Sequence, residues 1–147
     1  MKPFTDQLME YMSKAFAEDE VFPKNITVCE SYKANITPTP KIVLYVSDDS
    51  EDARYTTFEG EAVSSVSVQI TAFASQCKVG GEMLSAREAA VAFSEKLRAI
   101  FQKEVVRAAI PEILTLRRVG KSSPLPLDSG EKTYFAPIRF EIKIKNL

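Results

Sequence analysis

Between Val63 and Ala108 the chain changes its hydrophobic period once, and that change constrains the fold more than any other feature. Val66, Val68, Ile70 and Ala72 alternate with Ser65, Ser67, Gln69 and Thr71. A period of two sends the two sets to opposite faces, and it predicts a half-buried strand over Val63–Phe73. After a short break at Lys78-Val79-Gly80-Gly81, apolar residues return at spacings of three and four. They are Ala86, Ala89, Ala90, Phe93, Leu97, Ile100, Phe101, Val105 and Ala108, one face of a helix. Ser85 with Glu88 fits the capping-box pattern that starts a helix, and Pro111 sets its far limit. At about 3.3 Å per strand residue and about 1.5 Å per helical residue, both elements span roughly 36 Å. The helix can therefore lie along the strand. Burying Phe93, Leu97, Ile100 and Phe101 contributes on the order of 6–12 kcal/mol before entropy is set against it.

The flanking segments add to this unit. Pro3 suits the first turn of a helix, and Phe4, Leu8, Met12 and Phe16 make an apolar stripe, so a helix is predicted over Pro3–Ala17. Ile26–Tyr32 is rich in β-formers and reads as a short strand. Thr37-Pro38-Thr39-Pro40 is an extended connection. Lys41–Ser47 is apolar on both faces, which predicts a central strand covered on both sides or lying at an interface. The segment from Asp48 to Glu61 reads as a loop, or a loop with a ragged hairpin around Tyr55-Thr56. Ile113–Val119 alternates weakly and is predicted as a strand. Gly120–Thr133 reads as a long loop containing Pro124-Leu125-Pro126-Leu127. In the last strand, Tyr134, Ala136, Ile138, Phe140, Ile142 and Ile144 alternate with Phe135, Pro137, Arg139, Glu141, Lys143 and Lys145. Pro137 lacks a backbone donor, which predicts an edge position or a bulge near the start of that strand. Runs of strands with two helices, rather than strict alternation, predict an α+β fold. The expected architecture is a single domain over residues 1–147, with a mixed or antiparallel sheet of about four to five strands and two helices packed on it.

A hydrophobic fraction of 45% and a charged fraction of 27% belong to an ordinary globular chain. The net charge of −1 supplies no global basic field for nucleic acid or an anionic membrane. Locally the charge is uneven. Asp48, Asp49, Glu51, Asp52, Glu59 and Glu61 face only Arg54 within their segment, a net of −5. From Arg117 to Lys145, seven Lys and Arg stand against Asp128, Glu131 and Glu141, a net of +4. These are either two solvated surfaces or two complementary patches that meet between copies of the chain. Cys29 and Cys77 are too few for a disulfide framework and are expected reduced and buried. No apolar signal core and no run of about 18 apolar residues is present, so neither export nor membrane insertion is expected. Asn25-Ile26-Thr27 and Asn35-Ile36-Thr37 match the glycosylation pattern by chance on that reading.

A search for chemistry returns little. The chain has no histidine, which excludes His-based triads and His metal sites. The Asp48–Asp52 cluster lacks the spaced ligands, central glycine and closing glutamate of a calcium loop. No paired carboxylates are held for hydrolysis, Lys121-Ser122-Ser123 has no general base, and Gly80-Gly81 is a turn rather than a phosphate loop. No catalytic, cofactor-binding or metal-ligating residue is assigned, and no enzyme activity is expected. Two features call for partners. Leu125 and Leu127 alternate with Pro124 and Pro126 on a stiff segment, where they either insert into a partner or fold back and become buried. The polar face of the last strand sets Phe135 beside Arg139, Lys143 and Lys145, which suits either a nucleic-acid surface or a lysine-guarded solvent face.

Taken in order, these elements resemble the tail terminator (tail-completion, minor tail) proteins of long-tailed bacteriophages and prophages. The likeness rests on an N-terminal helix, a Pro-containing link, the apolar strand Lys41–Ser47 and an acidic loop. The strand Val66-Ser67-Val68-Gln69-Ile70-Thr71-Ala72-Phe73 and the helix from Ser85-Ala86-Arg87-Glu88-Ala89 through Leu97 and Ile100-Phe101 follow. A loop-bearing hairpin closes with Tyr134–Ile144. The likeness covers nearly the whole chain and is one of element order and size rather than of a diagnostic motif. It implies a small α+β subunit that assembles as a ring, usually of six copies, on the end of the tail tube. Such a ring stops tube polymerisation and offers the surface that joins tail to head. Its partners would be further copies of itself, the tail-tube protein and a head-completion or connector protein, with DNA only as passing cargo. The location would be the virion tail, assembled in the host cytoplasm, with no membrane and no cofactor. The acidic segment would be a candidate lining of the lumen. Interaction residues expected on this reading are Asp48, Asp49, Glu51, Asp52, Glu59, Glu61, Arg117, Arg118, Lys121, Leu125, Leu127, Arg139 and Lys143. Another head–tail joining or tail-tube component, or a small module binding nucleic acid or protein through the last strand's basic face, is the alternative.

Overall fold

The computed structural model describes residues 4–30, 40–49, 55–56, 62–121, 123–127, 130 and 132–146. Three helices and nine strands follow one another: α1 (Phe4–Glu18), β1 (Thr27–Glu30), β2 (Lys41–Asp49), β3 (Tyr55–Thr56), β4 (Ala62–Ser75), β5 (Cys77–Val79), β6 (Glu82–Leu84), α2 (Ala86–Ile100), α3 (Lys103–Ala109), β7 (Ile113–Lys121), β8 (Leu125–Pro126) and β9 (Thr133–Asn146). The main sheet runs β1-β2-β4-β9-β7, with β3 beside β4 and β8 beside β9. β1 is parallel to β2 and every other pairing is antiparallel, so the α+β class holds and the sheet is mixed. The expected two helices are three, and two short strands and a hairpin add to the expected four or five.

The long alternating strand is the spine. Along β4, Val66, Val68, Ile70, Ala72 and Ala74 are buried, and Ile42 and Leu44 of β2 and Ala136, Ile138, Phe140 and Ile142 of β9 join them on the same face. All belong to one cluster with Leu8, Met12 and Phe16 of α1, Phe93 and Leu97 of α2 and Val106 of α3. Helices thus cover one face of the sheet. Phe22 stacks into the gap between α1 and α2, with ring centroids 5.2 Å from both Phe16 and Phe93.

The opposite face carries Tyr45, Ser67, Gln69, Arg139, Glu141 and Arg117. Cover on both sides of β2, expected from its two apolar faces, is present at Val43, which is 8% exposed, and absent at Tyr45, which is 54% exposed. Side chains on this face hold one another. Arg139 Nε donates to Gln69 Oε1 at 3.1 Å, and Phe73 packs against Phe135 with centroids 6.0 Å apart.

Three expectations need correction. The single long helix is two, because α2 ends at Ile100 and α3 begins at Lys103. A continuous helix would carry the stripe from Leu97 and Phe101 on to Glu104 and Ala108, burying a carboxylate. The break at Phe101-Gln102 rotates the last turns instead. Val106 and Ile110 enter the core at 0% and 2% exposure, while Val105, expected inside, stays 49% exposed. The break at Lys78–Gly81 is the tip of the β5–β6 hairpin, where Gly80 and Gly81 adopt φ of 64° and 82°. Such angles favour glycine, and the turn expected there is present as the tip of a hairpin that was not expected. Finally, Gly120–Thr133 is not free of structure, since β7 runs through Lys121, β8 pairs with β9, and Leu127 N–H donates to Thr133 O at 2.8 Å.

Pro137 lies in the middle of the sheet and not at its edge. It is in register with Thr71 of β4 on one side. On the other side, β7 pairs as far as Ile138 and β8 resumes at Phe135. The Thr133 carbonyl faces β8 and the Lys145 N–H faces the β7 side, so odd-numbered residues of β9 point that way. The missing donor of Pro137 therefore falls where β7 has ended and β8 has not begun. The bulges are on β7, between Ile113 and Thr115 and between Arg118 and Gly120. Both cysteines are free and half-buried rather than fully enclosed.

Candidate functional site

The acidic segment connects two neighbouring strands. Asp48 and Asp49 close β2, in register with Val66 and Ser65, and β3 pairs back onto the start of β4. Glu51, Asp52, Glu59 and Glu61 lie outside the described residues, as do the side chains of Asp48 and Asp49. The loop-with-hairpin expectation is met at Tyr55–Thr56, where β3 forms.

The basic C-terminal residues do not form one patch. Arg117 is in register with Glu141 and Arg118 with Phe140, and successive residues on a strand take opposite faces. Arg117 Nη2 lies 2.6 Å from Glu141 Oε2 on the open face. Both ends of this pair are well exposed, so its contribution is about 0–1 kcal/mol. Arg139 is bonded to Gln69 on the same face. Lys143 is exposed and in register with Thr115 and Ser65. Lys121 is the last residue of β7. The polar face of β9 thus sets Glu141 between Arg139 and Lys143, with Lys145 beyond, and Phe135 is held against Phe73 rather than presented for base stacking.

Leu125 and Leu127 combine both alternatives raised for them. Their segment folds back onto β9, yet the two side chains remain 48% and 38% exposed. Backbone pairing holds an apolar tongue on the surface without covering it.

A cleft of about 340 Å³ opens where α2 gives way to α3. The Phe101 ring, at the C-cap of α2, packs 5.1 Å from that of Phe140. The β7–β9 register sets Arg118 beside Phe140, and so beside the helix break. Arg98 in the last turn of α2, Lys103 at the start of α3 and Arg118 surround the cleft, with Glu104 the one acid lining it and Phe101 and Leu116 in its floor. Among the described residues, Arg98, Lys103 and Arg118 take part in no ion pair. Arg98 and Lys103 were not among the residues expected from sequence. The signal that could have found them is the conflict at Glu104, which an unbroken stripe would bury.

Other titratable groups are tied into structure. The Asp19 carboxylate is held below its ordinary range, first by a hydrogen bond from Lys96 and then by the Val21 N–H. Burial pushes the Cys77 thiol and the Tyr11 phenol above theirs. Among the described residues, one buried carboxylate oxygen, Glu112 Oε2, has no hydrogen-bond partner. Among the described residues no group of three or more Cys, Asp or Glu is placed to hold a metal ion, and no helix is long and apolar enough to cross a membrane. Compared with known proteins, the chain matches no family model and no curated protein.

Proposed function

We propose that this chain is a structural assembly subunit of the phage tail-terminator kind. Copies would associate as a ring on the tail tube, end its polymerisation and present the surface that joins tail to head. The observation that carries the reading is the exposed Leu125–Leu127 tongue, paired through β8 to β9, on a subunit whose described main sheet ends in β1 and β7. Exposed apolar groups on a pre-ordered segment suit docking, because little entropy remains to be lost on binding. Element order supports the same reading, since the helix, acidic connection, long strand, second helix and loop-bearing final hairpin keep the sequence of parts that the resemblance rests on. Further copies of the chain, tail-tube protein and a head connector are proposed as partners, with the virion tail as location and the acidic segment as a contact surface between copies.

Native mass measurement and negative-stain imaging at high protein concentration, with and without tail-tube protein, test the assembly. Rings are the expected outcome, and a strict monomer under both conditions overturns the proposal. Leu125→Ser with Leu127→Ser should leave the fold intact and weaken docking to tube or head. Reversing charge at Asp48, Asp49, Glu51 and Asp52 should impair assembly, and normal assembly and infectivity in that variant remove the acidic segment from the contact between copies.

A further inference from the structure

We propose that the cationic cleft at the α2–α3 break receives the acidic segment, residues 48–61, of a second copy of this chain. The inference rests on the self-association reading above and names the contact that would carry it. Arg98, Lys103 and Arg118 converge on a cleft of about 340 Å³ with an apolar floor, opposed only by Glu104. Cations gathered without partners repel one another and gain most from a multiply charged anion brought against them. The chain supplies that anion, since residues 48–61 carry six acids against Arg54, a net of −5, and set Phe58 beside Glu59. Carboxylates for the rim and an aromatic ring for the floor are the chemistry the cleft accommodates.

The topology sets the described ends of the acidic segment and the cleft at different strands of the sheet. The acidic segment joins β2 to β4, while the cleft lies beyond β9 at the outer edge strand, β7. The described ends of the segment, in β2 and at the start of β4, lie three and two strand spacings from β7, roughly 14 and 10 Å at about 4.8 Å each. A surface that offers its acid at one place and its receptor at another makes a head-to-tail contact, and such contacts close into rings when the rotation permits. With a net charge of −1 the copies have no strong long-range repulsion to overcome. A nucleic-acid strand fits less well, because the site carries Glu104 within it and the chain as a whole has a net charge of −1.

The test uses two full-length variants, Lys103→Glu with Arg118→Glu and Glu59→Lys with Glu61→Lys. The altered cleft side chains are surface-exposed, and circular dichroism melts check that both variants fold. Sedimentation velocity at low and high salt should show self-association weakened about tenfold or more in each variant alone. Mixing the two variants restores an oppositely charged contact and should recover association. A labelled peptide of residues 48–61 should bind the wild-type chain and lose about tenfold in affinity on the cleft variant. Cleft variants that form rings as the wild type does overturn this inference and leave the assembly reading standing. A monomeric wild type overturns the assembly reading. That result removes the second copy and with it the intermolecular contact proposed here, whether or not the peptide binds. A cleft that takes a labelled DNA dodecamer but not the peptide assigns it to nucleic acid and overturns the proposal as well.

Discussion

The Tyr11 hydroxyl donates to the carbonyl of Ile100, the last residue of α2, and its ring meets Phe101 edge-on at a centroid distance of 5.6 Å. That carbonyl belongs to the group a helix end leaves without an internal partner. α1 thus closes the end of α2 at the point where the chain turns into α3. Tyr11→Phe keeps the ring contact and deletes the donor, so it should cost about 1–2 kcal/mol in urea unfolding. Amide exchange at the α2–α3 junction should quicken more than exchange in β4. Because burial raises the phenol's pKa, this residue's contribution is complete below the unfolded tyrosine value of about 10 and disappears as pH rises through the folded one. The stability gap between wild type and Tyr11→Phe should narrow over that alkaline range.

Asp19 and Lys96 form the second clamp between α1 and α2, with Lys96 Nζ 2.8 Å from Asp19 Oδ2. Both side chains keep about a fifth of their surface in water, 23% and 22%. Screening limits the pair to about 0.5–1 kcal/mol. The Asp19 carboxyl is held below its ordinary value, chiefly by the Lys96 bond. Its stabilisation is therefore complete above the unfolded aspartate value of about 3.9 and is lost as pH falls through the folded value. Asp19→Asn should be less stable than wild type at pH 6, and the two should converge as pH falls below the lowered folded value of Asp19. Chemical denaturation across that range checks the sign.

Much of this fold could be read from residue spacing, and the misreadings share a cause. Periodicity located β4, β9 and α2 because each has one buried and one wet face. It failed at Glu104, where continuing a helical stripe and burying a charge are in conflict and only packing decides. It failed again at Leu125–Leu127, since a two-residue strand has no period to detect and forms only because β9 is already there. The candidate site was less legible for a related reason. Arg118 is adjacent in sequence to Arg117, yet pleating sends them to opposite faces. Its real neighbours, Arg98 and Lys103, come from elements brought near by the packing of Phe101 on Phe140.

Ser85 shows what a local signal specifies without tertiary help. Its hydroxyl accepts from Glu88 N–H at 3.2 Å, and Glu88 Oε1 accepts from Ser85 N–H at 3.3 Å. The box satisfies donors that the first turn would otherwise leave to water. Ser85→Ala should cost about 1 kcal/mol, and Ser85→Asp should retain most of that stability because Asp also caps. Thermal unfolding of the two variants separates capping from mere helix propensity, which would rank Ala above Asp.

Pro137 makes the sharpest contrast between sequence expectation and sheet geometry, because a central strand tolerates proline only where no ladder bond is required. Its nitrogen faces the interval between the Lys121–Ile138 and Leu125–Phe135 pairings. Pro137→Ala adds an N–H with no strand opposite it among the described residues, and it also returns conformational freedom to the unfolded chain. The net effect should be a modest loss of about 0.4–1 kcal/mol. Glu141→Pro places the same ring four residues on, at a position facing Arg117 of β7. There the lost donor orphans a partner, which alone costs about 1–3 kcal/mol, and the Arg117 ion pair disappears with it. Denaturant midpoints should therefore fall far more for Glu141→Pro than for Pro137→Ala. Equal losses would mean that the Pro137 position carries a ladder bond of its own and that the interval between β7 and β8 is not where its tolerance comes from.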